Sequence, residues 1–337
     1  MGARARLVAI VLGICLLGLL GLGRAMAAED KPYTVFMVLW RGMTDAERGF
    51  QAYMRKNDIP VRYVIRNAGK DLEKLKRIRG EIRRTRPDLV YTFGTTVTRG
   101  VVGTTSHHDP DTFITDIPVV FDIVSDPVGA RLTESLDSTG RNFTGTSHSV
   151  PLSTQLKTLL RIQHVKKLGA LYNPLERNSA LAIQKLARLA REKGIEFYPE
   201  YVRVKGGKPL LSSLPFKVKQ LAARGLHFVY LPSDSFLISN AKEVIRALHA
   251  RKLAAFSATE GPINDAGALA GIVSLYFNVG EFAGHKAAQI LVGGRDPASI
   301  PIETLNRYTI LVNMHTAREL DFFPPVQVLE FAKVVGQ

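Results

Sequence analysis

The chain has 337 residues, a formal net charge of +15 and a single cysteine, Cys15. Because Cys15 lies in the leading apolar run, a chain cleaved after that run has no disulfide and no thiol catalyst. Its stability must rest on an apolar core, which about 310 residues can supply, divided between two domains.

Arg4 and Arg6, the apolar run Leu7 to Leu22 and the small-residue pattern Ala25-Met26-Ala27 read as a secretory signal peptide over residues 1–27. An uncleaved anchor is the alternative, since the run is near the lower length limit for a membrane span. Ile14 before Cys15 argues against a lipoprotein attachment site. Loss of Arg4, Arg6 and Arg24 lowers the charge by three to +12. Such a balance fits nucleic acid in a cytosolic protein. In an exported one it fits an acidic partner surface, an anionic ligand or a membrane surface.

Thr34 to Trp40 reads as a buried first strand, and the Arg41-Gly42-Met43-Thr44 break leads to a helix over Asp45 to Lys56 capped by Thr44. Val61 to Ile65 alternates as a second strand. Leu72, Leu75, Ile78 and Ile82 line one side of a helix over Lys70 to Arg86, and its basic residues form a solvated face rather than a nucleic-acid site. Leu89 to Phe93 is the third strand, and Gly94-Thr95-Thr96 opens a helix. His107 and His108 sit in a turn-rich stretch with aspartates. Adjacent histidines rarely turn both rings inward and no spaced third ligand follows, so a surface loop is expected there, not a metal. Ile117 to Val124 is the fourth strand, Ser125 to Gly129 a turn, and Asn142 to Ser149 an extended polar crossing between lobes. A helix follows over Pro151 to Gln163.

Lys167 to Glu192 reads as strand, loop and helix. Asn173-Pro174 ends the strand, Leu181, Ile183, Leu186 and Leu189 recur at helical period, and Asn178 or Ser179 is placed to cap the helix. The loop opens on a helix N-terminus, a site for a carboxylate or other anion. Asp88 to Gly103 repeats the arrangement, which suggests two facing lobes. Further elements are strands at Glu196 to Val202, His227 to Leu231, Ala254 to Ser257, Ala268 to Tyr276 and Tyr308 to Val312. Helices are expected at Leu210 to Arg224, Ser235 to Arg251, Val279 to Val292 and Thr316 to Leu320, with a tail from Phe322 packed on one lobe. This alternation specifies α/β architecture with parallel sheets covered on both faces.

In open parallel sheets a ligand lies beyond the carboxyl ends of the strands. Those ends carry Trp40-Arg41, Gly94-Thr95-Thr96, Asp122 to Asp126, Tyr172-Asn173, Pro232-Ser233-Asp234 and Thr259-Glu260, a set that suits a small zwitterion. Thr95, Thr96 and Ser179 also serve as plain helix caps in the blander reading, Asp126-Pro127 as a turn and Trp40 as core. No nucleophile elbow, phosphate loop, dinucleotide fingerprint or zinc-protease motif occurs. Asp234 and Glu260 are the one candidate carboxylate pair for glycoside hydrolysis, without local support. Binding without chemistry, with no cofactor and no metal, fits better.

Gly94-Thr95-Thr96, IPVVFDIVSDPVGA from Ile117 to Ala130, Asn142-Phe143-Thr144-Gly145, Leu171-Tyr172-Asn173-Pro174 with Asn178-Ser179, Leu231-Pro232-Ser233-Asp234, Gly267-Ala268-Leu269-Ala270 and Ile300-Pro301-Ile302-Glu303 resemble, in order and spacing, the motifs of one family. It is the ABC-transporter substrate-binding proteins that include tryptophan- and tyrosine-binding members. The resemblance runs from Tyr33 to Leu320 and implies the type I periplasmic binding fold: two Rossmann-like lobes, residues 32–146 plus 277–306 and 147–276 plus 307–337. Three crossings near Thr146, Tyr276 and Asn306 would join them. It implies a periplasmic, monomeric receptor, not an enzyme, that takes a small solute, an amino acid or related carboxylate, to an ABC permease in the inner membrane, with no nucleic-acid partner. A sensory receptor of the same fold signalling to a membrane kinase is the alternative. By position the ligand contacts carry over to Thr95, Thr96, Ser147, Tyr172, Asn173, Ser179 and Asp234. Glu260 joins them where many members have serine-aspartate. That departure and the unusual loop Arg41-Gly42-Met43 bear on the identity of the ligand.

Overall fold

The computed structural model describes residues 31–336, so the expected signal peptide and Cys15 lie outside the described residues. From Tyr33 onward the chain forms one compact unit containing two large sheets.

The first sheet begins with β1 (Tyr33–Leu39), whose residues from Thr34 on are all buried. Helix α1 (Asp45–Lys56) follows, closed at its start by a capping box in which Thr44 and Glu47 bond each other's backbone. Then come β2 (Val61–Asn67), the basic helix α2 (Leu72–Thr85), β3 (Leu89–Phe93), α3 (Gly94–Val102), β4 (Val119–Asp122) and β5 (Phe143–Ser147). The strand order is β5-β4-β3-β1-β2, with a short later strand, Glu303–Thr304, beside β5 and every neighbour parallel. Parallel neighbours require crossovers, and helices supply them.

Helix α4 (Leu152–Ile162) leads to β6 (Lys167–Tyr172) of the second sheet, followed by α5 (Arg177–Glu192), β7 (Glu196–Tyr201), a small hairpin of β8 (Val204–Lys205) and β9 (Lys208–Pro209), and α6 (Leu214–Ala222). Next are β10 (Phe228–Leu231), α7 (Ser235–Ser239), α8 (Ala241–His249), β11 (Ala254–Ser257), α9 (Gly261–Ala266) and β12 (Ala270–Val273). Helix α10 (Tyr276–Leu291) and β13 (Glu303–Thr304) belong with the first sheet. The chain ends on β14 (Thr309–Asn313), α11 (Met314–Glu319), α12 (Val326–Leu329) and β15 (Ala332–Val335). The order β15-β14-β12-β11-β10-β6-β7 is parallel apart from the antiparallel β12–β14 pair.

Several local expectations are corrected. Phe143 to Ser147, expected to be extended and polar, is a fully buried strand of the first sheet. Its threonines are tolerated inside the sheet because Thr144 donates to Ile300 O (2.8 Å) and Thr146 to an Asp122 oxygen (2.6 Å). The expected helix Ser235 to Arg251 breaks at Asn240, whose amide caps the Phe236 carbonyl at 2.7 Å. The expected strand reaching Tyr276 stops at Val273, and Tyr276 instead opens α10. The tail is not merely appended, since β15 adds an edge strand to the second sheet. Neither Asn178 nor Ser179 caps α5, whose N-cap is Glu176.

Each sheet carries its own core. Phe36, Tyr91, Phe121 and Phe143 pack with Val279, Ala283 and Ala287 of α10, while Leu168, Ile183, Phe228, Phe256 and Val312 fill the layers around the second sheet. Helix α10 reaches the first sheet by lying against α1 with backbones nearly touching. A Cβ on Gly280 would stand 1.9 Å from the Ala46 carbonyl oxygen, and one on Gly49 would stand 2.0 Å from that of Phe277. Only glycine permits this approach.

Candidate functional site

The carboxyl ends of β1, β3 and β4 in the first sheet and of β6 and β10 in the second converge on one region. A small cavity there, about 20 Å³, is lined by Trp40, Arg41, Phe93 to Thr96 and Ile123 from the first sheet's loops. Glu176, Asn178, Ser233 and Ser235 line it from the second, and Tyr276 at the start of α10 completes it. The arrangement follows from parallel sheets, whose strands all deliver their loops to the same edge.

Polar groups in this cavity are incompletely matched. The guanidinium of half-buried Arg41 lies over the Phe93 ring, 5.1 Å from its centroid, and forms no ion pair among the described residues. The Thr95 hydroxyl is buried without a partner. A buried hydroxyl left unpaired costs about 1–3 kcal/mol, so a group that bonds it is favoured. Thr95 and Thr96 occupy the first turn of α3, where backbone N–H groups and the positive end of the helix dipole favour an anion. Ile123 has φ +57°, a left-handed conformation unfavourable for a β-branched residue. Its amide is held by an Asp122 oxygen at 2.8 Å, which fixes the strained turn beside the cavity.

Beside the small cavity runs a groove of about 650 Å³, and Asn178 and Ser233 belong to the walls of both. Ser125 to Val128 and Ser147 to Ser153 form much of it, with one face of α5 opposite. His148 stands at the partition: its Nε2 lies 3.0 Å from the Ser233 hydroxyl, its ring meets Tyr276 edge-on, and its Nδ1 has no partner. Burial, with Arg41 nearby, pushes the His148 pKa down to about 3, so the ring is neutral.

Two carboxylates lie buried behind the loops. Asp122 accepts from Tyr91 (3.1 Å), Thr146 and the Ile123 amide, and burial pushes its pKa up to about 7. Asp234 accepts from the Asn173 amide (2.7 Å), the Ser179 hydroxyl (2.7 Å) and the Leu237 amide (3.0 Å). Burial, reinforced by the Glu176 charge, raises it to about 7 also. Each carboxylate fastens a loop to its sheet.

Of the residues singled out by sequence, Thr95 and Thr96 line the small cavity and Ser147 lines the groove. Tyr172, Asn173, Ser179, Asp234 and Glu260 line neither. Tyr172 packs edge-on against Tyr201. Asn173 is tied to Glu176 and Leu175, and Ser179 and Asp234 bond each other at zero exposure. Glu260 accepts from the Tyr276 amide at 2.9 Å. Asp234 has Glu176 as its acidic neighbour and Glu260 has Asp45 and Asp265, so the two do not act as a pair. Arg41, His148, Asn178 and Ser233 are the residues that sequence reading passed over. Asn178 and Ser233 stand inside the family motifs, and Arg41 stands among the strand-end groups and in the unusual first loop, yet none was named as a ligand contact.

Two mostly parallel sheets offering loop tips with unmatched polar groups to a shared cleft match the type I periplasmic binding fold. The chain belongs to the ABC transporter substrate binding protein family, which matches residues 36–335. A tyrosine-binding protein of Clostridioides difficile (strain R20291) is 26% identical over 262 residues, covering 77% of this chain and 71% of that protein. A conserved domain protein from Vibrio cholerae O1 biovar eltor shares the fold with a TM-score of 0.80 at 21% identity, over 90% of this chain and 100% of that one. An ABC domain in complex with L-Trp from Streptococcus pneumonia does so with a TM-score of 0.79 at 21% identity, again over 90% and 100%.

Proposed function

We propose that this chain is the solute-receiving component of an ABC importer, taking a small carboxylate, an amino acid or a close relative, into the cleft and passing it to the permease. The observation that carries this reading is the pairing of Arg41, without a carboxylate partner among the described residues, and the unbonded Thr95 hydroxyl on one cavity. Arg41 meets the carboxylate, Thr95 and the α3 amides share it, and Trp40, Phe93 and Tyr276 supply apolar surface. Two of the similar proteins, one named for tyrosine and one bound to L-Trp, support an aromatic amino acid.

In this reading residues 32–146 plus 277–306 form one lobe and 147–276 plus 307–337 the other, with three crossings acting as a hinge. Closure is what the permease recognises, and the ligand favours it by binding the closed arrangement more tightly. The protein works as a monomer in the periplasm after export, without a cofactor and without turnover. Trp40 is the chain's single tryptophan and lines the cavity, so its emission reports occupancy. Titration with tyrosine, tryptophan and small carboxylates should change that emission saturably, with matching heats by calorimetry. A complete absence of response across the panel would sink the assignment.

A further inference from the structure

The small cavity has room for little more than a head group. A water needs about 10–15 Å³ of such space, and the whole cavity holds about 20 Å³. Beside it, across walls that both share, lies a groove more than thirty times larger, within the roughly 300–1,000 Å³ of small-molecule sites. Its walls are largely apolar: Val128 and Leu136 on the first sheet's side, Leu181 and Leu189 of α5 on the second's. At the partition His148 is 3% exposed, and its Nδ1 lacks a partner. An unpaired buried nitrogen on the wall of a large cavity is a group awaiting a ligand donor or acceptor.

We infer that the occupant is longer than a free amino acid: a carboxylate head seated at Arg41 and Thr95, with an aromatic or hydrocarbon body that passes His148 and lies in the groove. The inference rests on the reading of the small cavity as the carboxylate site and adds the class of body attached to it. A polar linker atom of such a ligand, in an amide for instance, then bonds the free Nδ1 of His148. Because the groove takes its walls from both sheets, a body lying in it also bridges them.

The test uses the full chain, with free tyrosine and phenylalanine compared against their N-acyl derivatives and against dipeptides that carry the same residue at the carboxyl end. Trp40 emission reports the head site and calorimetry the affinity. The longer members should bind at least about tenfold more tightly than the free amino acids. Ala182→Phe, which fills the groove from α5, should erase that advantage while changing the free amino acids less than about twofold. Free amino acids that bind as tightly as every longer member, or an advantage that survives Ala182→Phe, would overturn the extended ligand while leaving the carboxylate site standing. Loss of all binding by every carboxylate would instead overturn the carboxylate site and the extended ligand with it. If Ala182→Phe fails to fold, Leu189→Phe on the same face serves in its place, with the same readings.

Discussion

Lys185 on α5 forms an ion pair with Asp126 in the loop after β4, tying the second sheet's side of the groove to the first's. Nearby, the Arg177 side chain donates to the Gly129 carbonyl at 3.1 Å, making a second tie between the same two segments. Asp126 and Lys185 line the groove, and both ties would have to break if the two sides separated in the proposed hinge motion.

The Lys185–Asp126 pair is partly exposed, and such pairs contribute at most about 1 kcal/mol. Lys185→Gln is expected to weaken ligand binding by no more than about fivefold, through faster dissociation. The effect should shrink in high salt, as screening dictates. Stopped-flow dissociation at two ionic strengths checks this, and identical rates for both proteins at low salt would show that the pair does not hold the cleft shut.

Arg41→Ala should cost far more. A hydrogen bond to a charged group contributes about 1.5–3 kcal/mol, so affinity for carboxylates should fall by one to two orders of magnitude. Stability should fall only by what its stacking on Phe93 contributes, about 0.5–1 kcal/mol, because Arg41 forms no ion pair among the described residues that would be lost. A matching drop in stability would assign Arg41 to the scaffold instead.

Thr95→Val separates binding from stability by sign. The substitution removes a buried hydroxyl that has no partner while keeping the shape, so the unliganded protein should gain about 1 kcal/mol. Ligand affinity should fall over the same series. Thermal melts with and without ligand read both quantities, and a variant less stable when empty would mean that the hydroxyl has a partner in solution.

Gly280→Ala should destabilise the protein by about 1–3 kcal/mol, since the added methyl would stand 1.9 Å from the Ala46 carbonyl and force α1 and α10 apart. Chemical denaturation measures it. A neutral result would mean that the helices separate at no cost.

Acidity adds a signed expectation. Asp122 and Asp234 rise from an ordinary value of 3.8 to about 7 on folding, so the folded state binds more protons than the unfolded between those values. Their contribution is complete below about pH 4 and is lost as pH rises through 7. His148 falls from 6.5 to about 3, which works in the opposite direction over nearly the same window. With two carboxylates against one imidazole, these groups together should lower stability between pH 5 and about 7.5. Asp122→Asn, which mimics the protonated acid, should flatten that decline, as melts across the range would show; an unchanged slope would refute the assignment.

Much of the architecture was legible in the residues. Runs such as Val35 to Leu39 and Val119 to Phe121 are apolar on both faces, as strands covered by helices must be, and Thr44 announced the start of α1. Less legible were Phe143 to Ser147 and the final β15, whose polar or marginal residues become strand only because a neighbouring edge accepts their backbone. The hairpin at Val204 to Pro209 was likewise invisible, lying in the gap between the strand expected to end at Val202 and the helix expected to begin at Leu210.

For the site, local pattern determined that hydroxyls, amides and carboxylates stand at the carboxyl ends of strands, and that parallel sheets bring such ends to one edge. It could not say which of those groups face a ligand and which fasten the loops. Ser179 and Asp234 are 55 residues apart and bond each other, while Arg41, in the loop after β1, is left facing the cavity. That division depends on which strands become neighbours, and hence on partners distant in sequence, so only the assembled structure decides it.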